Sequence, residues 1–173
     1  MRLLQDFDER NYSSKDRIFT RRAARAIIIK NGRIALVQSE KEGFYKFPGG
    51  GIENEETEID ALCRETLEEA GLIIIRESVR PFGYIREKRK SIYKKNEIFE
   101  MYSYYYTADV EDEACEQKLD GYEAELGYKL EFVELKKAYD VNMKLGRYRK
   151  SRFLTREARV LELLMKETES NNE

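Results

Sequence analysis

Three glutamates and an arginine fall within six residues of this chain: Arg64, Glu65, Glu68 and Glu69. On a helix, spacings of three and four project the three carboxylates to one side. Like charges so placed repel by about 0.2–0.5 kcal/mol per pair. They also lie toward the end of the helix where its dipole disfavours anions. A sequence built only for stability would put lysine there. A divalent cation turns the repulsion into a site, and hard carboxylate oxygens suit Mg²⁺ or Mn²⁺. The competing reading is a solvated acidic helix face, which is common.

The element that must carry these groups is legible. From Thr57 to Ala70 the apolar or small residues are Ile59, Leu62, Cys63, Thr66, Leu67 and Ala70. That is the repeat of one buried helical face. Thr57 is placed to cap the start with Asp60 in the first turn, and Gly71 to close the end in a left-handed conformation. Upstream, Gly49, Gly50 and Gly51 follow Pro48, so the backbone there can approach a ligand closely.

Composition narrows the chemistry. The chain has no histidine and two cysteines, Cys63 and Cys115, among 173 residues. Serine–histidine and cysteine–histidine nucleophiles, imidazole bases, histidine zinc sites and Cys₄ zinc sites are therefore excluded. Hydrolysis must rest on carboxylates, Lys, Tyr or metal-bound water. Charged residues make up 38% and the formal net charge is −2. That balance argues against a protein that coats nucleic acid. No apolar run approaches the ~20 residues of a membrane span, and the first residues lack the apolar centre of a signal peptide. Reduced, unpaired cysteines fit a cytoplasmic location.

Taken together, the fixed positions say more than the acidic cluster alone. Gly50, five residues, Glu56, seven residues, Arg64-Glu65, two residues, Glu68-Glu69, one residue, Gly71 and Leu72 resemble the signature of the Nudix hydrolases. The one departure is Thr66, where the family carries an apolar residue. Tyr45-Lys46-Phe47-Pro48-Gly49-Gly50 resembles the approach to the same helix, and the likeness covers most of Arg21 to Val133.

The resemblance implies an α+β fold, an α/β/α sandwich with a mixed central sheet. It implies metal-dependent hydrolysis of a nucleoside diphosphate linked to another group, with a nucleotide-type small molecule as substrate. Glu65, Glu68 and Glu69 become Mg²⁺ or Mn²⁺ ligands with the backbone near Gly50. Arg64 pairs with Glu56 or Glu65 and fixes the cluster. A further glutamate before the last strand completes the site as ligand or base; Glu123 and Glu125 both fit, and Glu125 is chosen. Arg22 and Arg25 on the first strand, together with Phe47 and Glu56, are placed at the substrate. A catalytically silent nucleotide sensor, an RNA 5′-end hydrolase and a prenyl diphosphate isomerase share the fold. The signature glutamates, all present, argue against the sensor, and no cysteine is placed for the isomerase. Relatives include homodimers.

In chain order, residues 1–20 read as an arm, 21–140 as the Nudix domain and 141–173 as a helical extension packed on it. Asn31-Gly32 predicts a hairpin turn. Glu97–Thr107 predicts a long strand with Tyr102, Tyr104 and Tyr106 on one face and Tyr105 on the other. The basic run 86–95 reads as a hairpin tip, 109–120 as an acidic loop or short helix, and 155–167 as an amphipathic helix.

Overall fold

The computed structural model describes residues 1–170. In order it contains β1 (Leu3–Asp8), β2 (Arg17–Ile27), β3 (Ile29–Lys30), β4 (Arg33–Ser39), β5 (Tyr45–Lys46) and β6 (Gly49–Gly51). Next come α1 (Glu58–Ala70), β7 (Leu72–Ile74), β8 (Arg80–Lys90), β9 (Glu97–Thr107) and β10 (Val110–Ala114). The chain ends with α2 (Gly121–Leu126), β11 (Tyr128–Val133), α3 (Leu135–Arg149) and α4 (Arg152–Ser170).

The larger sheet has the order β1-β8-β9-β2-β6. It is mixed, because β1 runs parallel to β8 and β2 parallel to β9 while the other pairs are antiparallel. A second sheet, β11-β4-β3, carries β5 on β4. Successive strand residues point to opposite faces, and the two faces of the larger sheet feed two cores. Ala24, Ala26 and Tyr106 pack with Ala61 and Leu62 of α1. Ile27, Ile85 and Tyr105 pack with Ala138 of α3 and Leu161 and Leu164 of α4. The result is a helix layer, a sheet layer and a helix layer.

Local chemistry sets α1 where the pattern predicted it. Thr57 Oγ1 accepts the Asp60 N–H at 3.1 Å, and Gly71 closes the helix at φ 66° with its N–H on the Leu67 carbonyl. Asn31 and Gly32 both take positive φ, as a two-residue hairpin of this hand requires. Tyr105 is buried on the opposite face from Tyr104, where the alternation put it.

Other stretches differ from expectation. The first twenty residues include a sheet strand, with β1 paired to β8 and β2 already begun at Arg17. The acidic stretch after Thr107 is partly strand. β10 pairs with β7, the Ile75 N–H bonds the Asp109 carbonyl, and the Cys115 N–H bonds the Gly71 carbonyl. Short β7 needs partners for its backbone groups, a demand that acidic composition does not reveal. α3 runs through residues 140 and 141, so no break falls there.

Candidate active site

The cleft, of about 450 Å³, opens between the larger sheet, the Gly49–Gly51 strand and the solvent side of α1. Glu65, Glu68 and Glu69 line it from α1, Arg21, Ala23 and Arg25 from β2, and Glu123 and Tyr122 from α2. A helix, a sheet edge and a loop-borne helix thus bring carboxylates and cations to one place.

Arg64 ties the glycine loop to the helix. Its Nε and one terminal nitrogen donate to Glu56 at 2.8 and 2.9 Å, and the same terminal nitrogen reaches the Gly51 carbonyl at 3.1 Å. The other terminal nitrogen donates to Glu65 at 2.8 Å and Glu68 at 3.3 Å. Both candidate partners are therefore engaged. Hydrogen bonding by Arg64 is the main cause that holds Glu56 below the usual carboxylate range. Burial pushes Glu65 up, and Arg64 opposes the shift.

Glu69 is held differently. It is 2% exposed, one oxygen paired with Lys46 Nζ and the other accepting the Gly49 N–H at 2.9 Å. Burial raises its pKa to about 7, with Lys46 and the Gly49 N–H opposing and Glu123 adding to the rise. Lys46 is itself buried, its ammonium 5.1 Å from the Tyr128 ring centroid.

Lys46 owes its position to the C-terminal helices. β5 pairs with β4 along one edge. On its other edge, Asn142 of α3 accepts the Tyr45 N–H at 2.9 Å and donates to the Tyr45 carbonyl at 2.8 Å. Glu157 of α4 accepts the Phe47 N–H at 2.8 Å. Glu157 is fully buried and also accepts from Arg156 at 3.0 Å and the Tyr105 hydroxyl at 3.3 Å. Its other neighbour is Arg25, whose Nε lies 4.0 Å away and makes no hydrogen bond, while another Arg25 nitrogen donates to the Gly49 carbonyl at 3.3 Å. Burial alone would raise the Glu157 pKa, but Arg156 and Arg25 bring it below the usual value.

The structure gathers Arg64, Glu65, Glu68, Glu69, Gly50 and Arg25 around one cleft. It sets four other candidates apart. Strand alternation turns Arg22 to the opposite face, where it pairs with Glu58 and sits 5.3 Å from the Tyr104 ring centroid. Phe47 is fully buried edge-on to Tyr105, in the second core. Glu56 grips Arg64 and does not line the cleft. Glu125 does not line the cleft and is paired with Lys41 at 2.7 Å, and the glutamate of α2 that lines the cleft is Glu123. Two residues along a helix turn a side chain by about 200°, so choosing between these two glutamates needed the helix itself. A signal for Glu123 was present: Asp120 and Glu123 form a reciprocal capping box.

Among the described residues no three acidic, histidine or cysteine side chains already form a cluster closed enough to cage an ion. The donor set nevertheless suits a hard divalent cation, with carboxylate oxygens and the carbonyls of a glycine strand. A Cβ at Gly50 would collide with the Glu65 carboxylate, so the glycine is what lets that carboxylate meet the loop backbone.

Comparison with known proteins identifies the family and the fold. A NUDIX domain profile matches residues 20–156. A Nudix hydrolase from Nitrosomonas europaea superposes with a TM-score of 0.54, covering 72% of this chain and 79% of that one at 18% identity. A MutT Nudix hydrolase from Burkholderia pseudomallei gives 0.50 over 68% of this chain and 85% of that one at 19% identity. These structures show the α+β fold. No curated protein matches the chain. The chain belongs to the Nudix family, and by that membership it is a Nudix-type hydrolase. No helix among the described residues is long and apolar enough to cross a membrane.

Proposed function

We propose that this protein hydrolyses a phosphoanhydride bond in a nucleoside diphosphate linked to a second group, with Mg²⁺ or Mn²⁺ held at the α1 edge of the cleft. The observation that carries the reading is the meeting of Glu65, Glu68, Glu69 and Glu123 with Arg25 in one cleft. Glu65, Glu68 and Glu69, with the Gly50 carbonyl, would hold the ion. When bound, it neutralises phosphate oxygens and supplies a water of lowered pKa.

The chain's own residues do the remaining work. Diphosphate hydrolysis depends mostly on positioning and charge stabilisation rather than on a covalent nucleophile. Arg25 offers a guanidinium held from behind by Glu157, a fixed counter-charge for a phosphate in the cleft. Arg64 fixes the Glu65 and Glu68 rotamers through charged hydrogen bonds. Lys46 pairs with the buried Glu69 and compensates its charge. Glu123, carried on the capped helix α2, is the base candidate in place of Glu125; its carboxylate also caps the Asp120 N–H at 3.0 Å, which orients it.

The test is phosphate release, after phosphatase coupling, from nucleoside triphosphates, ADP-ribose, nucleotide sugars and dinucleoside polyphosphates, with Mg²⁺, with Mn²⁺ and with EDTA. Metal-dependent turnover of one class, lost in Glu68→Gln with the fold retained, is the expected result. A folded, metal-binding protein silent on the whole panel would overturn the reading in favour of a nucleotide sensor.

A further inference from the structure

The three cleft glutamates of α1 are not equally open to an ion. Glu65 and Glu68 each keep one oxygen with no hydrogen bond among the described residues. Glu69 keeps neither. Its Oε1 is paired with Lys46 Nζ, and its Oε2 accepts the Gly49 N–H at 2.9 Å. Both members of the Lys46–Glu69 pair are buried, yet both line the cleft. The ammonium acts on Glu65 as well as on Glu69, so it stands among the carboxylates that a metal would bridge. An ammonium on Glu69 Oε1 repels a divalent ion brought to the same oxygen. Glu69 cannot serve as a ligand while Lys46 holds it in this way.

What can move is narrowly defined. Lys46 itself pairs with Val37 of β4, Asn142 holds both backbone groups of Tyr45, and Glu157 holds the Phe47 N–H. The backbone beneath Lys46 is therefore fixed on both sides. Its side chain is a charge on a flexible four-carbon stem, which can turn without the strand. A second seat lies beside the first. The Tyr128 ring, 5.1 Å from Nζ at its centroid, also lines the cleft. A ring face attracts an ammonium without needing a carboxylate.

We propose that Lys46 and the metal exchange at Glu69: the ion takes Oε1, and the ammonium turns off the carboxylate into the cleft beside Tyr128, where it becomes a counter-charge for a substrate phosphate. This rests on the phosphoanhydride reading above, in which Glu69 is a ligand, and gives Lys46 a positioning role within it. The exchange leaves the buried Glu69 compensated before and after the ion arrives, as a buried charge requires. It also makes one cation available to the phosphate only once the metal is in place. Two cations that compete for one carboxylate are negatively coupled, and the coupling is reciprocal.

The test follows Lys46 in the full chain. Crystal structures of the wild type in EDTA and in saturating Mg²⁺ are expected to show Nζ on Glu69 in the first and beyond ion-pair distance in the second, with the ion on Oε1. Calorimetry at about pH 9 keeps proton competition for the carboxylates small. There Lys46→Met is expected to bind Mg²⁺ about tenfold more tightly than the wild type, an ordinary size for a coupling between two ligands. Lys118→Met removes the same charge from the cleft, but the Lys118 side chain makes no bond to Glu69 among the described residues, so its effect is expected to be far smaller. With Mg²⁺ saturating, methylenediphosphonate, a diphosphate that is not hydrolysed, is expected to bind Lys46→Met about tenfold more weakly, the loss of one charged contact. Opposite signs for the two ligands are the signature of exchange, because a merely structural pair would lose both affinities together. The proposal is wrong if Lys46 stays on Glu69 with Mg²⁺ bound, if Lys46→Met weakens both ligands, or if methylenediphosphonate binding is unchanged. Should Lys46→Met fail to fold, the two wild-type structures decide alone. Failure of the phosphoanhydride reading shows separately, as a wild type that binds no Mg²⁺ and turns over no small substrate; Mg²⁺ bound with the Lys46–Glu69 pair intact sinks only the exchange.

Discussion

Glutamates of α1 and α4 serve the same cleft in opposite ways, one group lining it and the other buried behind it. On α1, Glu65 and Glu68 line the cleft, with Arg64 bonded to both and Lys46 near enough to oppose the charge of Glu65. On α4, Glu157 stands behind the cleft, fully buried, with Arg156, Arg25, the Tyr105 hydroxyl and the Phe47 N–H around it. In the proposed function the first group receives a cation from solution. The second already has its charges and fixes the position of a strand. An excess of carboxylate facing water is a place for a cation, whereas a satisfied carboxylate in the interior is a clamp.

The comparison can be broken, and the largest effect should come from the clamp. Glu157→Ala leaves Arg156 and Arg25 buried without their counter-ion, and should cost about 3–5 kcal/mol of stability in urea unfolding. Glu157→Gln keeps an acceptor for the Phe47 N–H and should cost less; equal losses would show that the carboxylate's charge plays no part. Asn142→Ala strips both backbone groups of Tyr45 of their partner, at about 1–3 kcal/mol for each group left unsatisfied.

On the rim the loss falls on binding and activity rather than on stability. Arg64→Ala should lower metal affinity or activity about 10–100-fold while the melting temperature moves little, because Arg64 orients Glu65 and Glu68 rather than filling a core. If Arg64→Ala instead unfolded the protein with intact metal affinity in the residual fold, the division between rim and clamp would fail.

Acidification separates the regions too. Glu157 has a lowered folded pKa, so its contribution to stability is present above the ordinary glutamate value of about 4.3 and is lost as pH falls through the lowered value. The wild type should therefore lose stability on acidification below about pH 4.3 more steeply than Glu157→Gln. Parallel curves would mean that other carboxylates govern acid unfolding. The smallest effect is at the α1 cap, where Thr57→Ala should cost about 1 kcal/mol.

Much of the rim could be read directly. The order Gly50, Glu56, Arg64, Glu65, Glu68, Glu69, Gly71 is local, and helix periodicity turns order into direction. Arg25 was legible as a strand residue near the cleft, but Arg22 was equally so until the register showed which of the two faces inward. Glu123 and Glu125 posed the same ambiguity on α2. Phe47 sits beside the glycine strand in sequence, yet its ring belongs to the core because β5 turns it toward Tyr105.

The sequence by itself determined the α1 helix, its caps, its acidic face, the Asn31-Gly32 turn and the exclusion of histidine chemistry. Each depends on residues within a few positions of one another, where spacing dictates geometry. Only the tertiary structure decided that Asn142 and Glu157 hold the strand bearing Lys46, and that the first residues supply a strand. Those contacts join residues about a hundred positions apart, as in Phe47 to Glu157. Which distant partner satisfies a buried polar group is settled by packing of the whole chain.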